Sequence, residues 1–307
     1  MKLQMSCQNC RSSKVKFILK GSDYISNDKF DIFQCSHCNI LYIDPQPKDL
    51  DKYYPKSYRS YIFPINIILE KKYSLFVESI NKKFFFKDKN IKKNVLEIGC
   101  GKGVMLNEFK KIGWNVAGLE RETSIDDRNK LNITNKNPSD FPDQTFDLIL
   151  MYNSLEHLRN PNDIIKICEA KLKSGGILLI VVPSYESLQY ILGKDSWLHL
   201  DSPRHLFIFS KKTFYYYQSL FSNFKIIEYK TTGIELEFYG WFQTILNKFS
   251  LKKNNFHKFL MSLNKSKILL LFGIFQFTIL FLPCLFITFI SFFFKRTSIV
   301  SVAIRKN

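Results

Sequence analysis

The sequence predicts an α/β fold with a mostly parallel sheet, preceded by a small cysteine module and followed by an apolar helical segment. Strand and helix patterns alternate between residues 93 and 232, as a parallel sheet with crossover helices requires. Near the start, the cysteines include two Cys-x-x-Cys pairs. Residues 268–294 contain no charged side chain. These observations divide the chain into a module, a core and an apolar appendage.

The composition allows one main domain with appendages and leaves two kinds of partner open. The chain has 307 residues, 46% of them hydrophobic, which is enough for a sizeable core. Lys and Arg number 45 against 27 Asp and Glu, and this net charge of +18 favours anionic surfaces, either nucleic acid or acidic lipid head groups. A biased genome composition would also give such an excess of basic residues, so charge alone does not distinguish between nucleic acid and lipid as the partner. The first residues lack the apolar core of a signal peptide, so we expect a cytosolic chain with reduced cysteines.

The cysteine spacing within residues 1–45 predicts a zinc ribbon. Two knuckles flank a Lys-rich, aromatic segment that can form a small hairpin. Four thiolates within tetrahedral reach hold Zn²⁺ as a closed structural site and supply folding energy that so small a module lacks, the alternatives being unligated thiols or a redox pair. We expect His37, inside the second knuckle, not to be a ligand because four sulfurs complete the shell. The expected ligands are Cys7, Cys10, Cys35 and Cys38.

Residues 46–92 are expected to form a linker and a helical cover over the core. The linker begins around Asp44-Pro45-Gln46-Pro47 and continues into a tyrosine-rich run over residues 53–61. Residues 65–86 then have a largely helical pattern.

The most informative stretch is residues 94–103, where an apolar strand pattern ends in closely spaced glycines before a predicted helix at 103–112. Glycine reaches positive φ and lets a ligand approach the backbone, while the helix offers free N–H groups there. A dinucleotide fingerprint needs glycine at its sixth position, where this chain has Val104. The spacing therefore indicates a cofactor site of another kind.

Predicted strands and helices continue to alternate after the glycine turn at residues 99–103. Residues 114–119 are expected to form the second strand, which ends at Glu120, a carboxylate able to accept two O–H bonds. A third strand is expected within the polar segment 121–141. Pro161 at the first turn and a Gly-Gly pair after its end mark the helix at 160–172. The other predicted elements are strands at 145–152, 177–182, 224–231 and 298–304 and a helix at 210–221.

The sequence Glu-Ile-Gly-Cys-Gly-Lys-Gly at 97–103 resembles motif I of the class I S-adenosylmethionine-dependent methyltransferases. The resemblance implies a Rossmann-like sheet closed by a C-terminal seventh strand, and a glycine loop curved around the methionine and ribose of the cofactor. Glu120 occupies the position of the acid that binds the ribose hydroxyls, whereas no residue is assigned to the adenine amino group. The cofactor-binding residues implied are Glu97, Gly99, Cys100, Gly101, Gly103, Glu120 and Asn153.

The ribbon, the Pro-x-Pro at 45–47 and the tyrosine run are similar to the N-terminal part of bacterial methyltransferases of sugar and cell-surface glycan pathways. Residues 153–158 resemble the Glu-His motif after the fourth strand in this group and in quinone O-methyltransferases. The resemblance implies methylation of a sugar or lipid-linked intermediate of surface glycan synthesis. O-methylation of a quinone precursor is the alternative.

A different class of function is a zinc-ribbon protein that binds nucleic acid through a degenerate methyltransferase fold. The intact glycine turn and Glu120 argue against it, so we expect no nucleic-acid partner. Salt-sensitive DNA binding by a chain that ignores the cofactor would favour it.

The acceptor is expected beyond the carboxyl ends of the strands, where open α/β sheets bind ligands. Methyl transfer is an in-line displacement, so the protein aligns donor and acceptor and removes a proton, a task that suits histidine. Arg204 could clamp a phosphate or carboxylate of the substrate. A structural hydrogen bond is the alternative role for each histidine. The candidate bases are His205, the first choice, His157 and His199, with Glu156, Asp201 and Arg204 as orienting partners.

Residues 233–296 are expected to form amphipathic helices and a membrane insertion. At ~1.5 Å per residue, a helix over 268–294 could span a ~30 Å bilayer core. The strand expected in residues 297–307 would complete the sheet, which places both ends of the insertion in the cytosol. Pro283 could turn the segment into a re-entrant hairpin. We therefore expect a monotopic anchor on anionic lipid at the cytoplasmic face of a bacterial membrane, with a single span or a buried core helix as alternatives.

Overall fold

The computed structural model of the chain describes residues 6–54, 65–86, 91–121, 130–250, 253–260 and 267–307. The strands are β1 (Val15–Ser22), β2 (Lys29–Cys35), β3 (Leu41–Ile43), β4 (Asn94–Ile98), β5 (Asn115–Leu119), β6 (Ile133–Thr134), β7 (Phe146–Tyr152), β8 (Leu172–Pro183), β9 (Phe207–Ile208), β10 (Phe224–Thr232) and β11 (Ile299–Lys306). The α-helices are α1 (Ile65–Phe84), α2 (Val104–Lys111), α3 (Pro161–Lys171), α4 (Leu188–Gly193), α5 (Lys211–Leu220), α6 (Ile234–Phe249), α7 (Asn255–Leu260) and α8 (Lys267–Phe293).

The main sheet has seven strands in the order β10-β11-β8-β7-β4-β5-β6. β4 to β8 pair in parallel, whereas β11 lies antiparallel between β10 and β8. The predicted α/β class and the C-terminal strand that completes the sheet are therefore confirmed. The expected third strand is the short β6, and residues 122–129 before it lie outside the described part of the chain.

The core lies on both faces of this sheet. Alternate side chains of β8 point to opposite faces, so Leu178 and Ile180 join one apolar cluster while Ile177 and Leu179 join the other. This double burial explains why residues 177–182 of β8 form a continuous apolar run.

The cysteine module packs directly on the main domain. β1, β2 and β3 form a small antiparallel sheet that continues into β9 through the pairs Leu41–Ile208 and Tyr42–Phe207. The side-chain amide oxygen of Asn9 accepts a hydrogen bond from the Tyr217 hydroxyl at 3.0 Å. The module is thus joined both to α5 and to the segment that precedes it. Of the tyrosine run, only Tyr53 and Tyr54 lie within the described residues.

The apolar C-terminal segment forms one continuous helix, α8, with Pro283 inside it. The predicted re-entrant hairpin is therefore wrong. The physical reason is packing against α6 on both sides of the proline, where Phe238 contacts Phe281 and the Trp241 indole donates to Ser291 Oγ at 2.9 Å. Residues 273–293 of α8 are long and apolar enough to cross a membrane.

Candidate functional site

The glycine turn lies between β4 and α2 and requires glycine at several positions. Gly99, Gly101 and Gly103 have φ values of 78°, 55° and 73°, in the left-handed region that side chains disfavour. A Cβ on Gly99 would lie 2.5 Å from Ser154 Cβ, and one on Gly103 would lie 2.7 Å from Leu131 Cδ1. The backbone of the turn is therefore packed closely against Ser154 and Leu131, which leaves no room for side chains at positions 99 and 103.

Glu120 closes one side of this turn. Its Oε2 accepts a hydrogen bond from the Gly101 N–H at 2.8 Å, and its Oε1 accepts one from the Arg121 N–H at 3.0 Å. These two bonds hold the carboxylate at the carboxyl end of β5, next to the turn. A carboxylate fixed there suits a pair of sugar hydroxyls.

Two buried acceptors on the neighbouring strand ends fit a ligand with donor groups. Within the described residues, neither Glu97 Oε2 nor Asn153 Oδ1 has a hydrogen-bond partner. Burial, with a smaller contribution from the charge of Glu120, raises the pKa of Glu97 to about 8. A buried acceptor without a hydrogen bond destabilises the fold unless a ligand donates a hydrogen bond to it. S-adenosylmethionine carries ammonium and hydroxyl donors, so the residues present fit it.

The Glu-His segment follows β7 in a short 3-10 turn, Leu155–His157, and meets the segment before α5. The rings of His157 and His205 are 4.8 Å apart, and Glu156 Oε1 lies 3.9 Å from His205 Nε2. His205 Nδ1 lies 2.8 Å from the carbonyl oxygen of His199. The structure thus brings together three of the predicted catalytic residues, Glu156, His157 and His205.

The hydrogen bonds of His205 fix its tautomer. A carbonyl oxygen only accepts, so Nδ1 carries a proton, and Nε2 is the nitrogen that faces Glu156. His157 Nδ1 likewise lies 2.9 Å from the carbonyl oxygen of Arg204, with the Tyr54 hydroxyl at 3.0 Å. The ligand atoms of Glu156, His157 and His205 all lie within 4.8 Å of one another. This arrangement can accept a proton from a substrate or hold a cation.

Asp201 and Arg204 belong to a buried ion-pair network. Arg204 Nη2 lies 2.7 Å from Asp201 Oδ1 and 2.8 Å from Asp23 Oδ1, and Nη1 donates to the carbonyl oxygen of Tyr53 at 2.8 Å. Burial acts to raise the pKa of Asp201, but Arg204 and His205 outweigh it and hold that pKa below its usual range. The prediction that Arg204 clamps a substrate group is wrong, because internal acceptors engage the guanidinium and the side chain has no exposed surface.

His199 is a weaker candidate base than the other two histidines. Burial is the main cause that lowers its pKa to about 3. Such an imidazole is uncharged at neutral pH and takes up a proton poorly. The geometry therefore favours His205 and His157.

Sequence reasoning missed two side chains that lie beside this network, Tyr239 of α6 and His257 of α7. The Tyr239 hydroxyl lies 2.8 Å from His257 Nδ1, and the His257 ring meets the edge of Tyr24 with a centroid distance of 5.9 Å. Tyr24 in turn stacks 4.3 Å from the guanidinium carbon of Arg204. The sequence signal that could have pointed to His257 was the rarity of histidine, because the chain has 5 of them.

The four cysteines of the module converge as predicted. Cys7 and Cys38 have sulfurs 3.7 Å apart, and those of Cys10 and Cys35 are 3.5 Å apart. Tetrahedral zinc with Zn–S bonds of ~2.3 Å needs sulfurs ~3.8 Å apart, so the cluster could hold a zinc ion. His37 instead packs against Tyr216, with ring centroids 5.4 Å apart.

Comparison with known proteins agrees with this geometry. A family profile described as "Methyltransferase domain" matches residues 71–217. The chain is 28% identical over 131 residues to a ubiquinone biosynthesis O-methyltransferase of Colwellia psychrerythraea, covering 39% of this chain and 52% of that protein. It is 31% identical over 116 residues to the protein of that name from Glaesserella parasuis, covering 33% and 49%. The chain thus spans about half the length of these curated relatives.

Among solved structures, a SAM-dependent methyltransferase from Archaeoglobus fulgidus aligns over 78% of this chain and 99% of that chain, with 17% identity and a TM-score of 0.44. Coclaurine N-methyltransferase bound to N-methylheliamine and SAH aligns over 82% and 77%, with 15% identity and a TM-score of 0.45. The family match includes β4 to β9, and with them the glycine turn and the Glu-His segment. Residues 71–217 of this chain therefore match a methyltransferase domain family, on a seven-stranded, mainly parallel sheet.

Proposed function

We propose that this chain is a membrane-associated methyltransferase that acts on a sugar or lipid-linked intermediate of cell-surface glycan synthesis. The observation that carries the proposal is the cluster of Glu156, His157 and His205 at the carboxyl end of the sheet. Ser154 joins this cluster to the glycine turn, because its hydroxyl donates to the Ile98 carbonyl oxygen at 2.6 Å. Proton removal and cofactor binding would thus take place side by side.

When bound, S-adenosylmethionine supplies an electrophilic methyl group on a sulfonium sulfur. Glu97, Asn153 and Glu120 would hold its polar groups at the strand ends. His205 would accept the proton of the acceptor at Nε2, which makes the acceptor atom a better nucleophile. Glu156 would stabilise the imidazolium so formed. His157, bonded to Tyr54, would orient the acceptor.

Two features outside the matched domain support an acceptor of the glycan class carried by a lipid. The cysteine module packs on the segment before α5, which carries His205, and α8 exposes an apolar face to which a membrane can bind. O-methylation of a quinone precursor is the second candidate, and the names of the curated relatives favour it. The ordered contacts between Glu120 and the glycine turn argue against a degenerate fold that binds nucleic acid.

The test is methyl transfer by the purified chain to nucleotide sugars, lipid-linked sugars and catechol-type quinone precursors, followed as S-adenosylhomocysteine release. We expect turnover with a sugar acceptor and a loss of ~10²-fold or more in kcat for His205→Gln, with little change in KM for the cofactor. His37→Gln is the matched control and should leave kcat unchanged, because the His37 ring packs against Tyr216 and lies outside the cluster of Glu156, His157 and His205. Full activity of His205→Gln would remove it as the base, and turnover of catechols alone would select the quinone reaction.

A further inference from the structure

Helix α8 carries one continuous apolar stripe on its outer face. Its side chains are 53% to 82% exposed and recur every three or four residues, so they share one side of the helix. The stripe consists of Leu271, Ile274, Phe275, Ile279, Leu282, Phe286, Phe289 and Phe293. With 27 residues, α8 makes this a ridge ~40 Å long. An exposed apolar surface of this extent needs a partner.

The opposite face of α8 is attached to the protein at several points along the helix. Near its start, Gly273 packs so closely on the Phe256 ring that a Cβ would lie 2.7 Å from it. Near the middle, Cys284 is fully buried in a cluster with Trp241 and Phe242 of α6. After its end, the Arg296 carbonyl oxygen accepts a hydrogen bond from the Leu188 N–H at 2.9 Å. The whole helix therefore lies on the domain surface.

This attachment does not fit a helix that crosses a bilayer. The polar face of α6 packs on the core, where Glu237 Oε2 accepts the Ser298 N–H and Asn247 Nδ2 donates to the Ser196 carbonyl oxygen at 3.0 Å. A spanning α8 would carry these groups into a hydrocarbon layer ~30 Å thick. A helix in the plane of the interface would bury only its outer stripe.

The charge around α8 matches an anionic lipid surface. From residue 238 to residue 307 the sequence contains 10 Lys and Arg and no Asp or Glu. Lys248, Lys295 and Arg296 are exposed at the ends of α6 and α8. Basic residues close to a membrane contribute ~1 kcal/mol each to binding of acidic head groups.

We infer that α8 is an in-plane membrane helix that docks the domain on the surface of an anionic bilayer, with its outer stripe in the boundary between head groups and acyl chains. The inference deepens the proposed function, on which it rests for its biological role. It also brings the buried Arg204 network close to lipid, because α6 and α7 hold α8 and carry Tyr239 and His257, which lie beside that network. Vesicle binding itself requires no cofactor, so the two proposals can fail separately.

The first experiment measures depth in the bilayer. A polarity-sensitive fluorophore is attached to the full chain through Leu271→Cys, Leu282→Cys or Phe293→Cys, and quenched by lipids brominated at different positions along their acyl chains. An in-plane helix predicts the same shallow depth at all three positions. A spanning helix predicts that position 282 lies up to ~16 Å deeper than the ends, and that result would overturn the inference.

The second experiment measures binding to vesicles of phosphatidylcholine with and without phosphatidylglycerol. We expect salt-sensitive binding that needs the anionic lipid, and a loss of at least about tenfold in Leu282→Gln/Phe286→Gln/Phe289→Gln. The matched control, Phe17→Gln/Leu75→Gln/Leu220→Gln, changes exposed apolar residues elsewhere and should bind like wild type. Absence of vesicle binding, or a stripe covered by a second copy in a stable dimer seen by ultracentrifugation, would also overturn the inference. Cofactor binding by these variants is measured in parallel, so a failed methyltransferase assignment is recognised separately.

Discussion

At the residue scale, two carboxylates close to one turn have different environments. Glu120 accepts backbone N–H bonds at the rim, whereas Glu97 is buried and its Oε2 has no hydrogen-bond partner within the described residues. Burial favours the neutral acid, and Glu97 has a pKa of about 8 in the folded chain against 4.5 for the unperturbed group. Glu97 should therefore hold its proton at neutral pH when no ligand is bound.

This difference predicts how stability depends on pH. A folded pKa above the unfolded one means that the contribution of Glu97 is fully present below about pH 4.5 and is lost as pH rises to about 8. Glu97→Gln should flatten the dependence and stabilise the chain by a few kcal/mol at pH 8 relative to wild type. Urea unfolding at both pH values measures this, with Glu78→Gln, an exposed glutamate of α1, as the control. Equal slopes in wild type and Glu97→Gln would contradict the assignment.

The buried guanidinium of Arg204 gives a second prediction at this scale. Arg204→Met leaves Asp23 and Asp201 without their cation, so unfolding should become easier by ~3–5 kcal/mol. Arg121→Met is the matched control, because Arg121 pairs with Asp51 at the exposed surface, where an ion pair is worth less than ~1 kcal/mol. Chemical denaturation compares the two. A loss of unfolding free energy in Arg204→Met as small as that of Arg121→Met, below ~1 kcal/mol, would contradict this prediction.

At the element scale, the cysteine module contributes a strand and a cluster of four cysteines to one unit. β3 pairs with β9, which directly follows His205 and Leu206, so order in the module supports the position of the candidate base. We expect the purified chain to contain one zinc ion, and Cys35→Ser to lose it together with a marked drop in Tm.

The control for this prediction is Cys168→Ser, because Cys168 is buried in α3 and lies outside the cluster. It should retain zinc, as elemental analysis would show. Stoichiometric metal in Cys35→Ser, or none in wild type, would refute a four-cysteine zinc site.

At the scale of the whole molecule, sequence order and spatial order differ most at the C-terminus. β11 is the last strand of the chain but lies inside the sheet, between β10 and β8. A chain truncated after residue 266 loses α8 and this strand together, so we expect insoluble or unfolded protein in expression trials. The triple glutamine variant of the outer stripe keeps β11 and should fold, as circular dichroism would show. A soluble truncated chain that binds cofactor would contradict this account.

Local patterns predicted the sheet, the glycine turn and the cysteine cluster, because their determinants lie within a few residues or recur at fixed spacing. Glycine spacing at 99–103 and apolar alternation at β11 are of this kind. The role of Arg204, the position of His257 and the continuity of α8 at Pro283 were missed, since each depends on partners from distant segments. Arg204 meets Asp23 of the cysteine module, and α8 remains helical at Pro283 because α6 and α7 pack along it.

The central claim is that the turn at residues 99–103 binds S-adenosylmethionine, and calorimetric titration of the cofactor tests it most directly. Wild type should bind, whereas Gly101→Leu should weaken binding by at least about a hundredfold without unfolding, because Gly101 has a positive φ inside the turn and its N–H donates to Glu120. Gly113→Leu is the matched control, since Gly113 also has a positive φ but nothing lies within 4 Å of its Cβ position. Binding by both wild type and Gly113→Leu but not by Gly101→Leu is the predicted result. Failure of wild type to bind at millimolar cofactor, or equal binding by Gly101→Leu, would contradict the account.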